Sequence, residues 1–412
     1  MTTSTIPPIR NRRKAATRAV RAALESCPVT RAVVPPLHLS ATFAFRQFGQ
    51  KGPYDYTRSG NPTRDALAEA IAALESGDQQ ATGIVTASGM AAITLVCHLL
   101  EPGDVLVAPH DCYGGTYRLL SALARKGHFE VRFIDQTDAA AVLAACAERP
   151  RLIWVETPSN PLLRIVDVRA MARRAFASGA ILVVDNTFLS PGWQQPLALG
   201  ADIVVHSTTK YLNGHSDVVG GAVVARNEAL GEQLAWWANA LGVTGAPFDS
   251  YLTLRGIRTL HARLAVHETN AREVVAALQA DPVVTRVYYP GLATHPGHAI
   301  AAAQQSGFGA MVSFELAGGI TAVEAFASGL SCFSLAESLG GVESLIAHPA
   351  SMTHAAMDPD ARRRAGIADA LLRLSIGIEA ADDLIADVRA GLERARAVAQ
   401  RAGIVLEART AC

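Results

Sequence analysis

Lys210 sits in "HSTTKYLNGHSD" (His206–Asp217), directly after the apolar run "ADIVV". An amine at the end of a buried strand is poorly hydrated, which lowers its pKa and makes it a nucleophile or base; the plainer reading is a capped turn. Four other polar stretches close apolar runs in the same way: "TASGMAA" at 86–92, "DCYGGT" at 111–116, "ETPSNP" at 156–161 and "DNT" at 185–187. The Ser88–Ala92 turn leads into a helix, so the N–H groups of Gly89 and Met90 are candidates for holding a phosphate. Ser207 and Thr209 add hydroxyls; read structurally, this is only a tight turn. Asp185 ends "ILVVD", where an unpaired carboxylate is costly to bury and needs a cationic or donor partner, in a site or in a salt bridge. Tyr113 offers ordinary packing or a platform for a planar ring.

These residues share a site only if the chain brings its strand ends together. The runs "TGIVTAS", "DVLVAPH", "RLIWVETPS", "AILVVDNT", "ADIVVHS" and "GGAVVAR" are continuous rather than alternating, and Ala- and Leu-rich stretches such as "TRDALAEAIAALES" and "YRLLSALARKG" separate most of them. Continuous runs imply strands covered on both faces, and alternation with helices implies a mostly parallel sheet. Ligands bind beyond the carboxyl ends of such strands. A phosphate turn, an aromatic wall, an acid and a lysine at one sheet edge match a phosphate, a ring, a basic ring nitrogen and an aldehyde. That set is pyridoxal 5′-phosphate (PLP) carried on Lys210. The glycine patterns of dinucleotide binders and P-loops are absent.

From about Ser250 the texture changes. The helical stretches "SYLTLRGIRTLHARLAVHETNAREVVAALQA" and "ADDLIADVRAGLERARAVAQRAG" frame the strand-like pieces "TRVYYPG", "AMVSFEL", "SLIAHPA" and "LRLSIGIE", which predicts a smaller α+β domain beginning near residue 259. The expected organisation is an arm over 1–60 contacting a neighbouring subunit, a large domain over 61–258 and a C-terminal domain over 259–412.

The 37 basic and 37 acidic side chains cancel, so no global field favours nucleic acid or anionic lipid. Arg10, Arg12, Arg13, Lys14, Arg18 and Arg21 make the opening segment locally basic, readable as a transit peptide or, more plainly, as a solvated arm packing on a neighbouring subunit. The six cysteines are scattered without CxxC spacing, which fits a reducing cytoplasm and neither a disulfide framework nor a zinc ribbon. No membrane span is expected. His295 and His298 in "HPGH" read as a surface loop rather than a metal site, His206 and His215 as packing residues, and Cys112 as a small buried filler.

The blocks "VVPPLHLSATF", "YDYTRSGNPTRD", "APHDCYGGTYR", "VETPSNPLL", "VVDNTFLSP", "HSTTKYLNGHSDVVGG", "AESLGGVESL" and "LLRLSIGIE" run in order from about Val33 to Val398. In these blocks the chain resembles the Cys/Met-metabolism PLP family of cystathionine γ-synthases, γ-lyases and related enzymes. The resemblance implies a fold type I large domain with a mostly parallel seven-stranded sheet, and a homotetramer with active sites shared across a dimer interface. It implies that Lys210 carries the cofactor covalently and Asp185 pairs with the pyridine nitrogen. Tyr113 would stack on the ring and deprotonate the incoming amine. Gly89, Met90, Ser207, Thr209 and Thr187 would complete the cofactor site, with Tyr56 and Arg58 reaching the phosphate of a neighbouring subunit. Arg373, Asn160 and Ser338 would take the substrate α-carboxylate, and Arg118 and Glu337 its distal end. A γ-synthase using O-succinylhomoserine and cysteine is the reaction expected, supported by "LAWWANALGVTGAPFDSYLTLRG". Ser59 stands where such synthases often carry a second arginine, so a γ-lyase is the alternative. A non-catalytic PLP-fold regulator is disfavoured, since no helix-turn-helix extension is visible.

Overall fold

The computed structural model describes residues 13–77, 79–355, 357 and 359–406. Seven strands form one sheet: β1 (Thr82–Thr86), β2 (Val105–Pro109), β3 (Glu130–Ile134), β4 (Leu152–Glu156), β5 (Ile181–Asp185), β6 (Ile203–Ser207) and β7 (Gly221–Ala225). Their order is β1-β7-β6-β5-β4-β2-β3, and β7 runs antiparallel to both of its neighbours. All five residues of β4 and of β7 are buried, as expected of strands covered by helices on both faces. The apolar runs name six of these strands. The seventh, β3 with sequence EVRFI, lies at the edge opposite β1; its alternating polar residues and partial exposure conceal it from a search for continuous apolar runs.

A second, mainly antiparallel sheet joins β8 (Val284–Tyr288), β9 (Met311–Leu316), β10 (Ser334–Leu335), β11 (Leu345–Ala347) and β12 (Leu371–Ser375) in the order β10-β11-β12-β9-β8. The helix Ala381–Arg401 lies beside it, burying Leu384, Val388, Leu392 and Ala395 in the core shared with Phe314 and Phe326. The single long helix read over 250–280 is in fact two, Pro247–Ile257 and Leu260–Ala280, broken at Arg258 and Thr259. Apolar periodicity runs through this break, so the pattern alone does not show it.

Local signals explain the helix starts that matter for the strand ends. Asn61 caps Pro62–Ser76 by accepting the Thr63 and Arg64 N–H groups, with proline at the first helical position. The "SGNPT" motif is thus first a helix cap. Ser88 caps Gly89–Cys97 in the same way, its hydroxyl accepting from Ala91 N at 3.1 Å.

Of the basic opening, residues 1–12 lie outside the described residues. Ala15–Val20 form a helix whose Ala19, with Ala22, packs into the chain's own core, so this part of the arm is docked rather than solvated. Beyond it, Val29, Leu39, Phe45 and Phe48 are exposed. Among the described residues no helix is long and apolar enough to cross a membrane. Among the described residues five cysteines are unpaired, Cys112 fully buried among them.

Close backbone packing supports the lysine turn. A Cβ added at Gly256 would lie 2.1 Å from the Asn213 carbonyl oxygen and 2.9 Å from that of Leu212. Gly256→Ala is therefore expected to cost about 1–3 kcal/mol by overpacking. A lowered urea midpoint would register it, and an unchanged midpoint would show that the turn can retreat.

Candidate active site

One cavity of about 390 Å³ opens at the carboxyl ends of the parallel strands, in the ~300–1,000 Å³ range of small-molecule sites. Its walls include Ser88, Gly89, Met90, Tyr113, Asn160, Asp185, Thr187, Ser207, Thr209, Lys210, Glu337, Ser338 and Arg373. Twelve of the fifteen residues expected of the site thus meet in one place. Arg118 is exposed on the helix Gly114–Arg125, within electrostatic reach of the Tyr113 hydroxyl but off the cavity wall. Tyr56 and Arg58 stay outside it. Tyr56 is exposed, and Arg58 donates to Asn239 Oδ1 at 3.1 Å while lying 5.7 Å from the Tyr56 ring centroid.

Lys210 lies in the turn after β6. Gly214 N–H donates to the Lys210 carbonyl at 2.8 Å, and the fully buried Tyr211 anchors the turn with edge contacts to Trp193 and His267. The lysine amine donates to Ser338 Oγ at 2.7 Å. Burial and then the repulsion of Arg373 bring its pKa down to about 8, so an appreciable fraction is neutral near pH 7.

Asp185 Oδ1 accepts the Thr187 N–H at 2.9 Å, and Thr187 Oγ1 accepts from Ser207 N at 2.9 Å, which ties the ends of β5 and β6 together. Burial raises the Asp185 carboxyl above its ordinary value, the sign expected of an acid short of a cation. Behind the sheet His206 bonds Glu75 at 2.6 Å, both fully buried. His206 is thus a structural residue. His215 Nδ1 lies 2.8 Å from the Asn213 carbonyl.

Tyr113 forms a half-exposed wall. Burial, then the nearby Glu337, raise its phenol, so in this site it holds its proton at neutral pH. Tyr113 thus stands where it can wall a flat ring, with its hydroxyl between the charges of Glu337 and Arg118.

Arg373 projects from the centre of the second sheet, where its neighbours in register are Ser313 and Ala347. Its Nη1 donates to Asn160 Oδ1 and its Nη2 to the Ser338 carbonyl, each at 2.9 Å, while the buried Nε has no partner. Ser338 holds a left-handed φ of +96°, a strained conformation for a non-glycine residue beside a reactive amine.

Sequence reasoning gives no role to Glu156, Thr353 or Leu339, which also line the cavity. The signal for Glu156 is present, an acid closing an otherwise apolar strand. Thr353 lies in a loop without periodicity and hydrogen-bonds His354, whose burial brings its pKa down to about 4.

The residues fit PLP. At the first turn of Gly89–Cys97 the backbone donors have no partners within the helix, and Gly89 lies so close to Ser207 that an added Cβ would approach its Cβ to 2.8 Å. An anion there meets bare N–H groups and hydroxyls. Asp185 supplies a carboxylate, Lys210 an amine and Tyr113 a flat wall.

A doubly covered, mostly parallel sheet with such a cavity at its strand ends defines a fold type I PLP-dependent enzyme. The profile described as "Cys/Met metabolism PLP-dependent enzyme" matches residues 16–393, and the chain belongs to that family. It is 56% identical to cystathionine gamma-synthase of Escherichia coli (strain K12) over 384 residues, covering 93% of this chain and 99% of that one. It is 44% identical to cystathionine gamma-lyase of Dictyostelium discoideum, covering 93% of this chain and 99% of the relative. The crystal structure of cystathionine gamma synthase from Xanthomonas oryzae pv. oryzae, in complex with aminoacrylate and cysteine, superimposes with a TM-score of 0.92 at 61% identity, covering 94% of this chain and 99% of that one. The chain is therefore a PLP-dependent enzyme of the cystathionine synthase and lyase group, acting on carbon–sulfur bonds.

Proposed function

We propose that the chain is a cystathionine γ-synthase, replacing the acyl group of an O-acylhomoserine, O-succinylhomoserine first, with the thiolate of cysteine. The observation that carries this reading is the pair of opposite charges within electrostatic reach of the Tyr113 wall. Arg118 and Glu337 both act on the Tyr113 hydroxyl, one from the large-sheet side and the other from the second sheet. A cation there suits the succinyl carboxylate, and charges of both signs suit the zwitterionic end of the incoming cysteine. Likeness to two synthases at 56% and 61% identity supports the same reaction.

When bound, PLP supplies an electron sink for carbanion character at the substrate carbons. The chain's own residues do the rest. Arg373, held by Asn160 and Ser338, takes the α-carboxylate as a planar fork. Lys210 holds the cofactor and then, as a neutral amine, moves protons at Cα and Cβ. Ser207, Thr209, Gly89 and Met90 hold the phosphate, Thr187 orients Asp185, and Asp185 keeps the ring nitrogen protonated. Tyr56 and Arg58, which do not line the cavity of their own chain, would serve the phosphate of a second copy in a homotetramer. Residues 1–60, 61–258 and 259–412 act as arm, cofactor domain and C-terminal domain. The unpaired cysteines accord with a cytoplasmic enzyme.

A γ-lyase is the second reading, favoured by Ser59. Its hydroxyl lies 2.8 Å from Asp55 Oδ1 and 2.7 Å from the Tyr56 carbonyl, with one proton to give to either acceptor, so this position offers an acyl group no cation. Comparing kcat/KM for O-succinylhomoserine plus cysteine with that for cystathionine breakdown separates the two. The synthase reading predicts faster substitution, and dominant formation of 2-oxobutyrate from cystathionine would establish the lyase.

A further inference from the structure

One buried carboxylate of the cavity has no place in the scheme above. Glu156 closes β4 at 6% exposure. Its Oε2 accepts the Tyr113 backbone N–H at 2.8 Å, and its Oε1 accepts the Trp154 indole N–H at 3.1 Å. Glu156 is also the register partner of Asp185 on the adjacent parallel strand. Register partners in a parallel pair point to the same face about 4.8 Å apart, so two acids stand side by side at the cavity floor. Asp111 and Cys112 face Glu156 from the turn after β2, and Asp111 is already tied to Arg164 at 2.9 Å and Ser159 at 2.7 Å. Among the described residues no arginine or lysine forms an ion pair with Glu156 or Asp185.

We infer that Glu156 is a positioning residue of this site: it clamps the Tyr113 backbone at the cavity wall, and with Asp185 it forms a two-carboxylate floor completed by the protonated ring nitrogen of PLP. The inference rests on the cofactor placement proposed above. Two N–H donors suit an ionised Glu156, because a protonated carboxyl would turn its own O–H toward one of them. Burial and then the Asp185 charge act the other way, raising Glu156 to about 8. A cation arriving at Asp185 relieves the repulsion, Glu156 ionises, and a proton leaves the protein as PLP enters. PLP affinity therefore rises with pH up to about 8 through this residue, because the unliganded chain binds the extra proton.

The test compares PLP affinity, measured by equilibrium dialysis across this pH range, in full-length Lys210→Ala and Lys210→Ala/Glu156→Gln chains. Removing the lysine eliminates its own titration, and the titrations of PLP are common to both chains. Glu156→Gln is expected to weaken binding about tenfold at pH 8, equivalent to about 1.4 kcal/mol, and to flatten the slope of log affinity against pH by up to one proton. Glu156→Ala in the same background, which removes the carboxyl without leaving a buried amide, is expected to flatten the slope as well and serves if the Glu156→Gln chain misfolds. Parallel slopes in all chains, even with lower affinity, would reduce Glu156 to packing and overturn the inference alone. A native chain that takes up no PLP overturns the cofactor placement, and the inference with it.

Discussion

Lys210→Ala is expected to lower kcat/KM by roughly 10³- to 10⁴-fold for both substitution and cleavage, because the variant loses its proton-transferring amine. The cofactor-free chain should show the converse effect on stability. In the folded chain the amine titrates near 8 instead of its ordinary 10.5. Between these values the unfolded chain binds more protons, so stability rises with pH across that window, and the penalty is fully present below about 8. At pH 7 the burial of this lysine costs on the order of 3 kcal/mol, of which the Ser338 hydrogen bond returns about 1. Lys210→Met, which keeps the stem, should therefore raise the cofactor-free Tm at pH 7, with the gain shrinking toward pH 10. Turnover within tenfold of the native chain would remove Lys210 from the centre of the chemistry, and a Tm difference independent of pH would show that burial does not depress its amine.

The same energetics explain what could be read from the sequence. Lys210, Asp185 and Tyr113 were legible because each contradicts its surroundings: a charge or a polar ring at the end of a buried strand has to be explained. Six strands were legible because burial on both faces leaves continuous apolar runs. The edge strand β3 and the two-residue β10 lack that signature, being half-exposed and exposed respectively. The break at Arg258–Thr259 carries neither proline nor glycine at the break itself, so nothing local marks it. Arg373, Asn160 and Ser338 lie up to 213 residues apart in the chain, and spacing alone does not connect them. Only similarity to a family brings them together before coordinates do. Ser338 goes further, since its left-handed backbone occurs in a residue type that does not announce it.

Arg373→Lys is expected to reduce kcat/KM by roughly 10²-fold, and Arg373→Ala by roughly 10³-fold, with most of the change in KM. Arg373 is buried on the central strand β12, and two of its nitrogens are held by Asn160 and Ser338. Its unpartnered Nε and remaining N–H groups are left for an acceptor. Charge-assisted hydrogen bonds of this sort contribute about 1.5–3 kcal/mol each. A lysine keeps the charge but cannot hold both protein anchors while presenting two donors to one carboxylate. Burial already lowers the guanidinium to about 10, a cost that an incoming carboxylate repays by supplying the missing counter-charge. Substrates whose α-carboxylate is replaced by a neutral amide provide the decisive comparison. The native chain should discriminate strongly against the amide, and Arg373→Ala should treat the two substrates nearly alike, which gives a coupling energy of about 3 kcal/mol in the double cycle. Equal discrimination in both chains would place the carboxylate on another residue and leave Arg373 as a strut between the two sheets.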